Sequence, residues 1–324
     1  MKPTLITGAT GFVGWHVARN LIEHGHHLRF LVRSESRLRE IEGEVVTGDL
    51  RDPESLERAV NGCGQVFHVA ADYRLFAKTP RELYRTNVDG TRNILEAARR
   101  AGVERFVHTS TVGCIGIPRN APGDENTPVT LHDMKGAYKR SKFLAERLAL
   151  DFAHSGFPVV IVNPTAPIGD HDIKPTPTGR IVVDFVKGGM PAFIDTGLNL
   201  VDVRDTAEGH RLACEYGRAG ERYILGCENL TLAQIFQKLA GICGTKAPVV
   251  RLPYAVAWTA GLVSTGLARM TGREPRVAFD AVRMARKKMF VRHDKAAREL
   301  GFAPQGVDAA LARALEWFRQ NGYC

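Results

Sequence analysis

Short strand-like runs rich in apolar residues recur through the first half of the chain, at residues 4–7, 28–32, 44–47, 65–69, 106–109 and 159–162. Between them, at 15–24, 53–61, 87–101 and 138–155, apolar residues return every third or fourth position, the spacing of one helical face. Buried strands alternating with amphipathic helices predict an α/β fold, a doubly wound parallel sheet with helices on both faces. Local punctuation agrees: Asp52 is placed to cap a helix that Pro53 starts, and Gly25, Gly62, Gly102 and Gly156 stand where helices should stop.

Past Pro164 the rhythm changes. Residues 165–179 are rich in Pro, Gly and Asp and predict a long loop, which in a compact domain usually serves function. A strand and helix follow over 200–216, a strand over 222–225, and then mainly helices, at 232–241, 254–271, 278–287 and 309–321. The expected organisation is a sheet domain over 1–165 and a smaller, mainly helical part over 166–324, with 200–225 returning to the sheet.

The first strand breaks into Gly8-Ala9-Thr10-Gly11-Phe12-Val13-Gly14 and then opens a helix. A glycine-rich turn lets the backbone lie against a pyrophosphate, and the helix N-terminus behind it favours an anion. Gly8, Thr10, Gly11, Phe12, Val13 and Gly14 are the candidate contacts, Gly14 also letting helix and strand pack closely. The spacing is GxxGxxG rather than the GxGxxG of the general dinucleotide fingerprint, so taken alone it also fits an ordinary turn.

Composition narrows the class. With 324 residues, 44% hydrophobic and 24% charged, the chain has the balance of a soluble globular protein. No apolar run approaches the roughly 20 residues of a membrane span, and the first strand starts too early for a signal peptide. The six cysteines (Cys63, Cys114, Cys214, Cys227, Cys243 and Cys324) form no CxxC pair, so no metal and no disulfide framework are expected, and the setting is a reducing cytoplasm. The formal charge of +9 suits an anionic cofactor or substrate, or an acidic membrane surface. Its basic residues are spread along the chain without a nucleic-acid reader motif, so no nucleic-acid partner is expected.

The second strand ends Leu31-Val32-Arg33-Ser34, with Arg37 beyond. A site for NAD usually places Asp or Glu there, on the adenosine ribose. Arg33 in that place can pair bidentately with a 2′-phosphate and Ser34 can add a hydrogen bond, so NADP is expected rather than NAD. A solvated strand-end arginine is the plainer alternative. Asp49, after the third strand, is placed to meet the adenine edge.

Tyr138-Lys139-Arg140-Ser141-Lys142 opens a helix and sets a phenol and an ammonium one turn apart on one face. A phenol of pKa about 10 is a poor base at neutral pH, and a fixed cation favours its phenolate. Bringing it near neutrality corresponds to about 4 kcal/mol of preferential stabilisation. His108-Thr109-Ser110-Thr111 ends a buried strand on the side where open α/β sheets bind ligands. Thr111, with Ser110 as runner-up, would hydrogen-bond a reacting carbonyl oxygen beside Tyr138. Each piece has a plain alternative, a surface Tyr–Lys pair or a hydroxyl bonded to backbone; the ordered set of glycine turn, Thr, Tyr and Lys is far more specific.

On these motifs the chain resembles the extended short-chain dehydrogenase/reductases, the NAD-dependent epimerase/dehydratase group, over essentially its whole length. The matching pieces are Thr7–Gly14, Asp49-Leu50, His68-Val69-Ala70-Ala71, Asn87-Val88-Asp89-Gly90-Thr91, Thr109 to Thr111, Tyr138 to Lys142, Asn163-Pro164 and Val201-Asp202-Val203-Arg204-Asp205. GxxGxxG is the normal turn in that family. The resemblance implies a Rossmann domain, a Thr111–Tyr138–Lys142 triad and cofactor contacts at Leu50, Ala70, Ala71, Asn87 and Pro164. It also implies that Asn163 faces the substrate, and that a homodimer is common. Arg33 and the Thr-Ser-Thr stretch are similar to the dihydroflavonol-4-reductase branch. Segments 282–290 and 295–301 are similar to bacterial hopanoid-associated sugar epimerases, which would connect the chain to hopanoid biosynthesis.

Val112-Gly113 stand where the family's dehydratases carry an Asp-Glu pair, which disfavours dehydration. Epimerisation by proton abstraction needs a further acid and base, for which Cys114 and His132 are weak candidates. Transient-oxidation epimerases commonly retain NAD, so Arg33 tilts the reading toward net reduction of an aldehyde or ketone by NADP(H). The alternatives are a sugar or nucleotide-sugar epimerase and a non-catalytic cofactor-binding regulator; the presence of both Tyr138 and Lys142 argues against the last. Residues 255–270 carry Trp258, Leu262, Val263 and Leu267 ahead of a basic cluster at 283–288. Such surfaces suit a lipid-linked polyol substrate or peripheral membrane contact, and equally a helix packed on its own core.

Overall fold

In the computed structural model, which describes residues 2–34, 38, 41–74, 79–190, 192–271, 275 and 278–324, the six apolar runs become strands of one sheet. They are β1 (Thr4–Thr7), β2 (Leu28–Val32), β3 (Glu44–Thr47), β4 (Gln65–His68), β5 (Arg105–Thr109) and β6 (Val159–Pro164). The helices between them are α1 (Phe12–Glu23), α2 (Pro53–Val60), α3 (Pro80–Tyr84), α4 (Gly90–Arg100) and α5 (Gly136–His154). Asp52 caps α2, its carboxylate accepting from the Glu54 N–H, and Gly25, Gly62, Gly102 and Gly156 all take positive φ after helices or turns, as a stop requires.

The second half adds β7 (Ala166–Ile168), α6 (Pro177–Val186), β8 (Ala192–Ile194), β9 (Gly197–Asp202), α7 (Val203–Tyr216), β10 (Arg222–Leu225) and β11 (Glu228–Thr231). It ends with α8 (Leu232–Cys243), β12 (Val250–Leu252), α9 (Tyr254–Thr271), α10 (Phe279–Met284), α11 (Asp294–Leu300) and α12 (Asp308–Gln320). The main sheet has seven parallel strands in the order β10-β6-β5-β4-β1-β2-β3, a Rossmann-type doubly wound sheet. Strand β10 pairs with β6 and brings the chain back to this sheet. Strand β9 instead lies between β7 and β11 in a separate three-stranded sheet.

The loop expected over 165–179 is interrupted. Residues 166–168 form β7 at the edge of the small sheet, where Pro167 costs no ladder partner, and the proline hid the strand from the apolar pattern. Thr176 then caps α6, its hydroxyl accepting from the Gly179 N–H at 3.1 Å. Two apolar layers flank the main sheet. Val17, Leu21, Ala207, Ala213 and Leu300 pack on one face through α1, α7 and α11; Leu56, Ile94, Leu95 and Ala149 pack on the other through α2, α4 and α5.

A third core joins α6, α8 and α12 to the small sheets. At its centre Phe236, fully buried, stacks on Phe185 and meets the edge of Phe193, both with ring centroids 5.6 Å apart. Phe236→Ala is expected to cost about 3–5 kcal/mol through lost burial and the cavity left behind. A denaturant titration reads this as a lower unfolding midpoint; an unchanged midpoint would show that this core does not contribute to the cooperative fold.

Candidate active site

The neighbours β1 and β4 lead to opposite halves of the sheet, and ligands bind outside the strand ends at such a switch point. Here the backbone closes up. Gly8 takes φ +82°, and a Cβ on it would sit 2.6 Å from the Ala70 nitrogen. A Cβ on Gly14 would collide with the Gly8 carbonyl. The Thr7 hydroxyl accepts from the Ala70 N–H at 3.3 Å and shares a hydrogen bond with His68 Nδ1 at 2.8 Å, while His68 Nε2 meets the Thr91 hydroxyl at 3.0 Å. Burial lowers the His68 pKa to about 3, so this imidazole is neutral scaffold.

Gly11 is different. It is exposed, and a Cβ there would meet only the Gly8 carbonyl, at 3.3 Å. It begins α1, which has no side-chain cap and no acidic residue in its first turn. Its leading N–H groups are thus available to an anion. Thr10 is exposed and Phe12 and Val13 are half-buried beside them. A dinucleotide's pyrophosphate fits this cradle.

At the other end of the cradle Arg33 is exposed directly after β2, Ser34 is half-buried, and Arg37 lies outside the described residues. The Asp49 carboxylate is gripped by Arg51, with Nε–Oδ1 at 2.9 Å and Nη2–Oδ2 at 2.8 Å. Those hydrogen bonds, with a smaller contribution from the charge of Arg33, hold its carboxyl below the usual range. Arg51 has no motif to single it out in the sequence, although it stands only two residues past Asp49. Leu50 is buried, Ala70 and Ala71 are half-buried, and Pro164 is buried at the end of β6. Asn87 is buried with its amide engaged: Oδ1 accepts from the Asp72 N–H at 2.7 Å, and Nδ2 donates to the Asp72 carbonyl at 2.9 Å and to Ser141 Oγ at 3.0 Å.

Tyr138 lies in the first turn of α5 and Lys142 one turn on. The Thr111 hydroxyl, just past β5, accepts from the Gly113 N–H at 3.1 Å and lies near enough to the Tyr138 phenol to lower its pKa. Burial pushes the phenol up to about 12, the nearby Cys114 adds to the rise, and the Thr111 hydroxyl opposes it. Lys142 is buried and its Nζ donates to the Thr109 carbonyl at 2.7 Å. Burial lowers its pKa to about 8, against the raising influence of Cys114 and Glu146. Thr111, Tyr138 and Lys142 are thus gathered at the carboxyl end of β5.

Asn163, expected to face substrate, is fully buried: Nδ2 donates to the Thr111 carbonyl at 3.0 Å and to Glu146 Oε2 at 2.6 Å. Glu146 is in turn paired with Arg222 at 3.1 Å. Sequence reading missed Glu146, although it stands four residues past Lys142 on the same helical face. It also passed over Lys139, which is half-buried beside the site with its Nζ 4.0 Å from Met289 Sδ. Ser110 is buried beside the Cys114 thiol, which burial holds protonated, and His132 is exposed. The protonated thiol is not a ready proton-abstracting base.

His16, Asp170 and His171 bring possible ligand atoms within 4.8 Å of one another. Arg204 and Arg313 approach the Asp170 carboxylate at 3.3 and 3.8 Å, and their charges oppose a cation there.

Comparison with known proteins agrees with this geometry. A sequence model of the NAD-dependent epimerase/dehydratase family matches residues 4–226. A Synechocystis protein provisionally named dihydroflavonol 4-reductase is 44% identical over 98% of this chain and 95% of its own. Sterol demethylase protein B of Methylococcus capsulatus is 35% identical over 98% and 99%. The crystal structure of a nucleoside-diphosphate-sugar epimerase from Pseudomonas aeruginosa superposes with a TM-score of 0.82 at 30% identity, covering 99% of each chain. With its glycine cradle at the sheet's switch point and a nicotinamide dinucleotide as the family's cofactor, the chain belongs to the NAD-dependent epimerase/dehydratase family of extended short-chain dehydrogenase/reductases.

Proposed function

We propose that the protein is an NADP(H)-dependent reductase of an aldehyde or ketone, acting in the cytoplasm on a sugar-like, polyol or polyol-bearing lipid substrate. The observation that carries this reading is the gathering of Thr111, Tyr138 and Lys142 at the carboxyl end of β5, with the phenol kept protonated by burial. A protonated phenol is ready to act as an acid, the role reduction requires. When bound, the dinucleotide supplies hydride from its nicotinamide ring.

The cradle at Gly8, Thr10, Gly11, Phe12, Val13 and Gly14 would hold the pyrophosphate, Arg33 and Ser34 the 2′-phosphate, and Asp49 the adenine edge. Leu50, Ala70, Ala71, Asn87 and Pro164 would line the remaining path, over a cofactor domain of residues 1–165. Thr111 orients the carbonyl oxygen, with Ser110 as the other substrate-side candidate. Tyr138 gives that oxygen its proton, and the charge of Lys142 favours the phenolate left behind. Asn163 acts on Thr111 from below, by holding its carbonyl.

The reductase name of the Synechocystis relative supports reduction, and the sterol name of the Methylococcus relative supports a lipid-like substrate. The Pseudomonas epimerase keeps a second reading in view, transient oxidation with return of hydride to the other face.

Cofactor choice is the first test. NADPH should raise the thermal midpoint more than NADH, and Arg33→Asp should remove the difference; equal stabilisation of the wild type by both would sink the preference for NADP. Tyr138→Phe should keep NADPH binding by calorimetry while turnover drops about 10²–10⁴-fold, the usual worth of a positioned acid. Undiminished turnover in that variant would exclude the assignment.

The pH profile is a third test. Lys142, with a pKa of about 8, carries its charge below that value and loses it above, whereas the phenol at about 12 stays protonated throughout. Reductive kcat/KM for NADPH should therefore be level through neutrality and fall as pH rises through about 8. A level profile into strongly alkaline solution would contradict the role given to Lys142.

A further inference from the structure

Helix α9 is built inside out. Its inward stripe is of small or modest residues: Ala257, Gly261, Ser264, Thr265 and Ala268 are buried or half-buried. They pack against α10, where the Phe279 N–H donates to Thr265 Oγ at 2.9 Å and a Cβ on Gly261 would come 3.0 Å from Val282. The large apolar side chains point the other way. Val256 is 50%, Val263 60%, Leu267 55% and Met270 84% exposed, on the opposite face of the helix. Leu262 and Trp258 are exposed along its flank, and Val249, Val250 and Leu252 continue the apolar surface through β12. A helix seated on its own core would show the reverse pattern.

The surroundings are mainly basic, with Asp280 of α10 paired to Arg283 at 3.2 Å as the acidic exception. No Asp or Glu occurs between Glu228 and Glu274, a stretch that includes Lys246, Arg251, Arg269 and Arg273. Lys246 and Arg251 are exposed before the helix, and Arg283, Arg286 and Lys287 are exposed in and after α10. Among the described residues no helix is long and apolar enough to cross a membrane. An uncharged apolar face with a basic rim, too short to span, is the signature of a helix that lies in a bilayer interface.

We propose that α9 is a docking helix that seats this protein on the surface of an anionic lipid bilayer. Val256, Val263, Leu267 and Met270 enter the acyl boundary, and the basic rim meets the headgroups. A second copy of the chain is a poorer occupant, because it would bring the same predominantly positive rim against its own kind. Docking also bears on the site: Asp280 of α10 lies so close to Gly136, the first residue of α5, that a Cβ there would come 2.6 Å from its carboxylate. Tyr138 follows two residues on, so a bilayer under α9 places the start of the catalytic helix near the lipid surface.

The test is sedimentation of the full chain with phosphatidylcholine vesicles and with vesicles of phosphatidylcholine mixed with phosphatidylglycerol. Binding to the mixed vesicles is expected, with a blue shift of tryptophan emission that Trp258→Phe removes. Val263→Asp combined with Leu267→Asp should weaken it by about ten-fold or more, without moving the thermal midpoint, since both side chains are exposed. Lys246→Glu combined with Arg251→Glu, which leaves the apolar face intact, should weaken binding to mixed vesicles as well. The proposal fails if the wild type stays in the supernatant with both vesicle types, or if neither double variant changes binding. It also fails if the apolar double variant instead abolishes a concentration-dependent dimer of a protein that ignores vesicles.

Discussion

A close approach of backbone to backbone, where the turn after β1 meets the chain leaving β4, is the constraint on which the rest of this protein depends. Gly8 leaves no room for a Cβ against Ala70, and Gly14 none against Gly8. Because these contacts are made by main chain, the open end of α1 is held at the sheet's switch point, where the field of its first turn can act on phosphate. A chain of hydrogen bonds carries the same constraint onward. Thr7 holds Ala70, Asp72 is held by Asn87, Asn87 reaches Ser141, and the Ser141 hydroxyl donates to the Tyr138 carbonyl at 2.8 Å. The glycine turn and the start of α5 are thus parts of one scaffold.

Electrostatics divides the site in two. Near Arg33 and Arg51 the surface is open and positive, suited to hold a charged group without strong discrimination of its protonation. Beneath Tyr138 the surroundings are dry. Lys142 rests on a backbone carbonyl, and Glu146 is buried with Arg222 on one side and Asn163 on the other. Removing one member of such a buried pair leaves an uncompensated charge, so the arrangement is rigid even where its net contribution to stability is small. Rigidity there serves Thr111, whose carbonyl is fixed by Asn163 while its hydroxyl lies near the phenol.

The strands β1 to β6, the flanking helices and the cluster of Thr111, Tyr138 and Lys142 were legible in the sequence because each rests on short-range pattern. Four-residue apolar runs and glycine stops are local signals, and Tyr138 and Lys142 share a helical face by spacing alone. Residues 165–179 were less legible: β7 depends on pairing with β9, some thirty residues distant, and Pro167 masks its alternation. Glu146, Arg51 and Lys139 carried no motif, and Glu146 and Lys139 matter only because of what the fold sets beside them.

Helix α9 shows the same division in reverse. Its sequence is apolar enough to read as a core helix, and only the packing of α10 against its small-residue stripe decides that Val263, Leu267 and Met270 face outward. The sequence by itself determined the α/β class, the glycine turn after β1 and the order of Thr111, Tyr138 and Lys142, since these follow from periodicity, from the absence of side chains at Gly8, Gly11 and Gly14, and from one turn of helix. Tertiary structure alone decided which buried groups keep the phenol protonated, that Asn163 supports Thr111 from beneath, and which face of α9 meets the surroundings. Burial and pairing between distant segments set those properties, and no local spacing encodes them.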